Sequence, residues 1–353
     1  MSSFSYTRSR PVREEDAFDV VAVHAWLASQ VVGLTGEPAV RQFGGGASNL
    51  TYLLVYPDRE LVLRRPPRGT RAASAHDMRR EVVVQQRLAP FLPFVPRVVA
   101  FCEETALIGS EFYVMEPVEG LILGAELPGG ITLDPVAARS LGHTVIDTLA
   151  DLHSVDVGRA GLADLGKGRG YVRRQIEGWS QRYRAALTDD VPDGENVMGW
   201  LAAHQPEDVA SRLIHGDWKL DNLVVDLSGA PRIVGVLDWE MATVGDPLMD
   251  LGASMTYWIT ADDEFPYAAL RRQPTNLPGM PTREEMVERY LSRTGLRLGT
   301  SWTFYEVFGL FRLAVIAQQI WKRFRSGQTT NPAFAQFGMA VQVLLERAAG
   351  RLG

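Results

Sequence analysis

Ile214-His215-Gly216-Asp217-Trp218-Lys219-Leu220-Asp221-Asn222, followed sixteen residues later by Asp238-Trp239-Glu240, decides how the rest of the chain is read. Leu223-Val224-Val225 follows the first segment and Ile233-Val234-Gly235-Val236-Leu237 leads into the second. Short runs rich in Val and Ile, bounded by Gly, Asp and Pro, predict strands. Asp217, Asn222 and Asp238 therefore fall at turns, with the two strands paired as a hairpin between them. Three oxygen-bearing groups at one end of such a hairpin suit phosphoryl transfer. A hard cation such as Mg²⁺ takes one or two protein oxygens together with substrate phosphates, and an Asp held off the metal can accept or orient the proton of an attacking hydroxyl.

The order His, any residue, Asp, then Asn five residues past the Asp, then a metal-binding Asp on the next strand pair, is that of the protein-kinase catalytic loop. Gly216 in the second position and Asp-Trp-Glu as the metal motif point away from protein kinases proper. The chain resembles the aminoglycoside-phosphotransferase and choline-kinase-like branch of the protein-kinase fold. It is closer still to the phosphotransferase domains fused to, or labelled as, acyl-CoA dehydrogenases. Leu63-Arg64-Arg65-Pro66-Pro67, Gly279-Met280-Pro281-Thr282-Arg283-Glu284-Glu285 and Gly327-Gln328 carry that narrower likeness, which runs from about Phe43 to the last predicted helix.

The resemblance implies an α+β, protein-kinase-like two-lobe fold: a small antiparallel-sheet lobe, 1–117, and a mostly helical lobe, 118–353, with nucleotide and Mg²⁺ between them. It implies that Asp217 orients and deprotonates the acceptor hydroxyl, that Lys219 reaches the transferring phosphate, and that Asn222 and Asp238 bind Mg²⁺. His215 is implied to pack beneath the loop. Asp250 is implied to accept hydrogen bonds from the loop backbone, and Glu240 to bond a metal water or stiffen the loop. The hinge falls at Met115, Glu116 and Val118, with backbone atoms of the last two and the side chain of Met115 facing adenine. Gly44-Gly45-Gly46-Ala47-Ser48 between strand-like runs lets backbone N–H groups approach phosphate; Gly45, Gly46 and Ser48 are the candidates. It is not a Walker loop, since no Gly-Lys-Ser/Thr follows. Arg64 stands where the kinase strand carries a Lys, and Glu81, early in a helix predicted over 77–88, is its natural partner. Arg keeps the charge but changes reach and geometry.

Purely structural readings compete. Arg64-Arg65-Pro66-Pro67 also reads as an exposed basic edge with a stop. Asp246 before Pro247 reads as a helix cap. His153, ending a helix predicted over 134–153, reads as a structural histidine satisfied by backbone or dipole rather than as a base. Gly166-Lys167-Gly168-Arg169-Gly170 resembles a phosphate grip, but no strand precedes it, so a connecting loop is expected. Arg173, Arg174, Arg182 and Arg184 on the following helix suit a solvated face or an anionic substrate. Tyr257, Trp258, Asp262, Asp263 and Glu264 suit either a solvated loop or a seat for a polycationic aminoglycoside. Lys322, Arg323 and Arg325 form a basic helix end open to a phosphate or carboxylate.

The chain has 353 residues, 46% hydrophobic and 22% charged, enough for two lobes with cores of their own. A net charge of −6 argues against general nucleic-acid binding. The single cysteine, Cys102, excludes an intrachain disulfide. No apolar run reaches the roughly 18 residues that span a bilayer, and residues 1–8 lack an apolar signal core. A cytoplasmic protein is expected, with no nucleic-acid or membrane partner and a homodimer left open. The expected activity is ATP- and Mg²⁺-dependent transfer of the γ-phosphoryl group to a hydroxyl of a small molecule, with a hydroxy acid or hydroxyacyl-CoA favoured as acceptor. An aminoglycoside 3′-type kinase and a catalytically inactive nucleotide-binding scaffold are the alternatives.

Overall fold

A computed structural model describes residues 9–44, 49–67 and 77–352. In chain order these hold β1 (Ser9–Arg10), α1 (Val20–Gln30), β2 (Ala39–Phe43), β3 (Leu50–Val55), β4 (Glu60–Arg65), α2 (Met78–Leu88), β5 (Val98–Cys102), α3 (Thr105–Ile108) and β6 (Phe112–Met115). Then come α4 (Pro135–His153), α5 (Tyr171–Ala186), α6 (Glu195–His204), β7 (Arg212–Ile214), β8 (Leu223–Asp226), β9 (Arg232–Val236) and β10 (Thr243–Gly245). The chain closes with α7 (Pro247–Thr256), α8 (Arg283–Thr294), α9 (Trp302–Arg325) and α10 (Phe337–Ala349). The last helix begins at Phe337, and residues 332–334 before it form a separate 3₁₀ turn. No helix among the described residues is long and apolar enough to cross a membrane.

Two compact units result: Met1–Ile122 with Leu223–Ala242, and Leu123–Asn222 with Thr243–Gly353. The β8–β9 hairpin returns to the first unit, because Leu121 and Val225 exchange backbone hydrogen bonds of 2.8 and 2.7 Å. Gly120, at φ 149°, makes this approach feasible: a Cβ there would lie 2.7 Å from Val224 and 2.9 Å from the Val225 carbonyl.

In the first unit six strands form one antiparallel sheet in the order β1-β2-β3-β4-β6-β5. Side chains alternate across a strand, so each of the two faces collects every second residue. Tyr52, Leu54, Leu61, Leu63, Phe112 and Val114 share one apolar cluster with Val23 and Leu27 of α1. Leu53, Val62, Tyr113 and Met115 form the other with Met78 and Val82 of α2. The same alternation sends Arg64 and Arg65 to opposite faces. Both are buried, 9% and 1% exposed, which rules out the exposed basic edge. Arg65 donates to the Asp16 carbonyl and the Tyr52 hydroxyl, at 2.6 and 3.0 Å, while Arg64 lies on the α2 face.

The second unit is mostly helical, with the short antiparallel pair β7–β10 inside it. Its helix starts carry readable signals. Asp134 and Asp246 cap α4 and α7, each with Pro at the first turn, and Thr282 and Glu285 make a reciprocal capping box on α8. Helices α7 and α9 cross where both side chains vanish: a Cβ on Gly309 would lie 2.3 Å from the Gly252 carbonyl, and one on Gly252 would lie 2.5 Å from that of Tyr305.

Candidate active site

The loop after β7 belongs to the second unit. Asp217 is mostly buried, and its Oδ2 accepts from Lys219 Nζ at 2.7 Å and from Asn222 Nδ2 at 3.0 Å. Asn222 Nδ2 also donates to the Asp217 carbonyl at 2.9 Å, so the amide oxygen is what Asn222 can offer to a cation. Burial alone would raise the Asp217 pKa. The charges of Lys219 and Arg312 and the Lys219 hydrogen bond outweigh it and hold the carboxyl below the usual range. Burial acts on Lys219 in the lowering direction, but Tyr257 and Asp217 raise it above the ordinary amine value. Asp217 is therefore a carboxylate and Lys219 an ammonium at neutral pH.

The backbone leading into Asp217 is held on several sides. His215 is fully buried; its N–H donates to Asp250 Oδ2 at 2.9 Å, and its Nδ1 accepts the Asp217 N–H at 3.2 Å. Gly216, at φ 81°, donates its N–H to Asp250 Oδ1 at 3.0 Å and accepts a hydrogen bond from Arg312 on its carbonyl. Asp250, 3% exposed, also meets His153 Nε2 at 3.2 Å. Burial would raise the Asp250 pKa, yet His153 and His215 lower it overall. Gln273 Oε1 accepts the Leu220 N–H at 2.9 Å, and the Tyr257 hydroxyl lies 3.4 Å from Asp217 Oδ1.

Asp238, Glu240, Arg64 and Glu81 come together in the first unit. Asp238 sits in the left-handed region at φ 66°, alone among the described non-glycine residues, a conformation that Asp tolerates better than most but that still costs energy. Its Oδ1 accepts from Arg64 Nη2. Arg64 Nε lies 3.3 Å from Glu81 Oε1 and Nη2 3.9 Å from Glu240 Oε2. Tyr113 donates to Glu81 at 3.0 Å, and Asn49 donates to Glu240 at 2.9 Å. Burial disfavours the Arg64 charge, but Glu81, Tyr113, Asp238 and Glu240 reverse the balance, so its pKa is raised. Glu81 is fully buried, and burial raises its pKa despite Arg64.

Gly45, Gly46 and Ser48 lie outside the described residues. Met115 packs with Leu53, Val62 and Val82. Glu116 bonds to Arg97 through its backbone N–H and its carboxylate, both at 2.9 Å. Val118 packs on Gly235, where a Cβ would approach within 2.7 Å. Hard oxygens suit Mg²⁺; Asp238 carries such donors in the first unit, and the Asn222 amide oxygen is one in the second. Among the described residues no group of three or more His, Cys, Asp or Glu could hold a metal ion.

Other segments are occupied by the fold itself. Asp208 receives the N–H groups of Gly170, Tyr171 and Val172 at 2.7–2.9 Å, where the glycine-rich loop meets α5. Lys322 and Arg325 are tied to Ala185 and Asp189. Asp263 is bridged by Arg283 at 2.6 and 3.0 Å and by Arg347 at 2.7 Å. His153 is satisfied by the side chains of Asp250 and Tyr290, not by backbone or helix dipole. Arg312, Tyr290, Gln273 and Asn49 had no signal in the motif, because each reaches it from a distant part of the chain.

Residues 39–286 match the phosphotransferase enzyme family model. The chain belongs to this phosphotransferase family. It is 36% identical over 344 residues to acyl-CoA dehydrogenase family member 10 of Mus musculus, covering 96% of this chain and 32% of that protein. It is 32% identical over 342 residues to family member 11 of Homo sapiens, covering 95% and 43%. The chain thus spans less than half the length of these relatives. A Ralstonia eutropha JMP134 protein, provisionally named an aminoglycoside phosphotransferase, superposes with a TM-score of 0.80 at 32% identity over 95% of this chain and 98% of that one. The aminoglycoside phosphotransferase APH(4)-Ia, solved with AMP-PNP and hygromycin B, has a TM-score of 0.60 at 16% identity over 94% and 98%. That last likeness is one of fold. The α+β, kinase-like fold expected of a phosphotransferase is the fold of this chain.

Proposed function

We propose that the protein transfers the γ-phosphoryl group of ATP to a hydroxyl of a small molecule, and that this acceptor is a hydroxy acid or a hydroxyacyl-CoA. The observation that carries the reading is the state of Asp217: a mostly buried carboxylate, kept ionised and aimed by Lys219 and Asn222. Such a group can orient an alcohol and take its proton as the bond to phosphorus forms. Lys219, Arg64 and Ser48 are the cations and donor proposed for phosphate. Asn222 and Asp238 offer oxygens for Mg²⁺, which when bound neutralises charge on the transferred group. Residues 115–118 are proposed to face adenine.

Two features favour an acceptor that carries negative charge. Lys219 and Arg312 both act on Asp217, so the ground near the reacting hydroxyl is cationic. Of the three acids offered as a seat for a polycation, Asp262, Asp263 and Glu264, Asp263 is consumed by Arg283 and Arg347. The relatives named for acyl-CoA dehydrogenases agree with an acyl-CoA-linked acceptor. The Arg64–Asp238 pair is the one observation favouring an inactive nucleotide-binding scaffold, since it occupies a proposed metal ligand.

Incubation with ATP, Mg²⁺ and a panel of short hydroxy acids, hydroxyacyl-CoA thioesters and aminoglycosides tests the proposal. Mass spectrometry should show one added phosphate on a hydroxy acid or its thioester. Phosphorylation of aminoglycosides alone would overturn the acceptor. ATP binding without turnover on any acceptor would favour the scaffold.

A further inference from the structure

The buried histidine at the end of α4 has a place in the geometry that a packing role leaves unexplained. His153 is 2% exposed. Asp250 is an acceptor, so the hydrogen between them sits on His153 Nε2, 3.2 Å from Asp250 Oδ2. The other ring nitrogen, Nδ1, meets the Tyr290 hydroxyl at 2.6 Å, and the two rings stand edge to face with centroids 5.7 Å apart. Tyr290 comes from α8 and is fully buried. Asp250 uses both oxygens on the segment before Asp217: Oδ2 on the His215 N–H and Oδ1 on the Gly216 N–H. Three helices, α8, α4 and α7, thus supply one line of side chains that ends on the two amides preceding Asp217.

The line fixes a rotation. A carboxylate that accepts two adjacent backbone N–H groups must hold one torsion to serve both. His153 is the side-chain donor at Oδ2 that comes from outside the loop. Without it, the carboxylate can turn and release one amide. Gly216 has no side chain to resist a flip of its peptide.

We propose that His153 and Tyr290 are positioning residues of the catalytic loop, acting through Asp250 to hold the His215 and Gly216 amides and so the direction of Asp217. The proposal takes its catalytic loop from the phosphotransferase reading above, and two kinds of measurement keep the two apart. Amide hydrogen exchange at His215 and Gly216 needs no acceptor. Phosphoryl transfer, measured with whichever acceptor the panel identifies, needs one.

The variants are His153→Leu, which keeps bulk and removes both ring nitrogens, His153→Gln, which returns an N–H donor near the Nε2 position, and Tyr290→Phe, which removes only the hydroxyl. His153→Leu should speed exchange at His215 and Gly216 by about 10- to 100-fold, the size expected for losing a hydrogen bond to a charged group. Exchange in β3 and β4 of the first unit should be unchanged. It should lower kcat by a similar factor while the dissociation constant for ATP stays within about twofold. His153→Gln should recover most of both effects, and Tyr290→Phe should show a smaller version of each. A general packing role predicts otherwise: exchange would rise across the whole second unit, and His153→Gln would do no better than His153→Leu. Either result overturns the proposal. If His153→Leu does not fold, His153→Gln and Tyr290→Phe carry the test: unchanged exchange at Gly216 in Tyr290→Phe overturns it, and accelerated exchange there supports it. A wild-type protein that phosphorylates nothing, yet shows the exchange pattern, removes the proposed function and leaves the positioning line in place.

Discussion

Arg64 donates to the carboxylate of Asp238 across 174 residues of sequence, with Glu81 Oε1 3.3 Å from its Nε on the other side. One guanidinium thus bridges an acid on α2 and the acid proposed for the metal. A planar fork suits two carboxylates held apart in space better than a single ammonium does.

Replacing Arg64 should therefore show in stability first. Arg64→Met leaves Glu81 buried against Tyr113 without its cation, and losing one partner of a buried pair costs about 3–5 kcal/mol. Urea denaturation should report that loss, and the double variant Arg64→Met/Glu81→Gln should lose less than Arg64→Met alone. Arg64→Lys keeps the charge and should weaken ATP binding by about tenfold, since it reaches one partner at a time. A double variant as unstable as the single would break the account of the pair.

Asp217→Ala should abolish phosphoryl transfer within the limits of detection, a loss of at least about 10²- to 10⁴-fold if only its base function counts. Calorimetric binding of ATP should be little changed. A variant that turns over at the wild-type rate would remove the mechanism outright.

Acid should destabilise the second unit in a specific window. The Asp250 and Asp263 pKa values are depressed in the fold: burial opposes this, but His153 acts on the first, and Arg283 and Arg347 on the second. A carboxyl with a lowered folded pKa contributes stability in full above its unfolded value, about 3.9, and loses it as pH falls through the folded value. Glu81 has the opposite sign. Burial raises its folded pKa, so protonation is favoured by folding and its penalty shrinks as pH falls through that value. Urea melts between pH 3 and 7 should show stability falling below about pH 4. Asp263→Asn should flatten that fall and cost stability at pH 7, because Arg283 and Arg347 lose their shared partner. An acid slope identical to wild type would remove Asp263 from the explanation.

The parts of the site that could be read from the sequence are those the chain writes locally. Asp217 and Asn222 are five residues apart, and Asp134-Pro135, Asp246-Pro247 and Thr282-Arg283-Glu284-Glu285 announce helix starts within one turn. Arg64 and Glu81 could be paired because a strand and the next helix present them at expected places. What could not be read lies in long-range partners. Asn49 meets Glu240 across 191 residues, Tyr290 meets His153 across 137, and Arg312 meets Gly216 across 96. No periodicity encodes such a meeting, which depends on how helices cross. The return of β8–β9 to the first unit was hidden for the same reason, since the backbone hydrogen bonds that tie it there, Leu121 with Val225 and Phe94 with Val236, each span more than 100 residues.

Arg312 gives the last test, because nothing in the motif singled it out. It projects from α9, is 5% exposed, and lies over the Trp179 ring at 5.2 Å while donating to the Gly216 carbonyl. That carbonyl belongs to the peptide unit whose N–H, on Asp217, is taken by His215. Arg312→Met keeps most of the volume on Trp179 and removes both the donor and the charge. The peptide before Asp217 then has one fixed end instead of two, and a carboxylate misaimed by a fraction of an ångström loses rate without losing nucleotide. The expected outcome is a fall in kcat of about 10- to 100-fold, the worth of a hydrogen bond with a charged donor. The ATP dissociation constant, measured by calorimetry, should stay unchanged. Arg312→Lys should recover part of the rate, because an ammonium keeps the charge but not the planar fork that fits between ring and carbonyl. Wild-type kcat in Arg312→Met would show that the Gly216 carbonyl needs no clamp and that the other contacts of the loop suffice to direct Asp217.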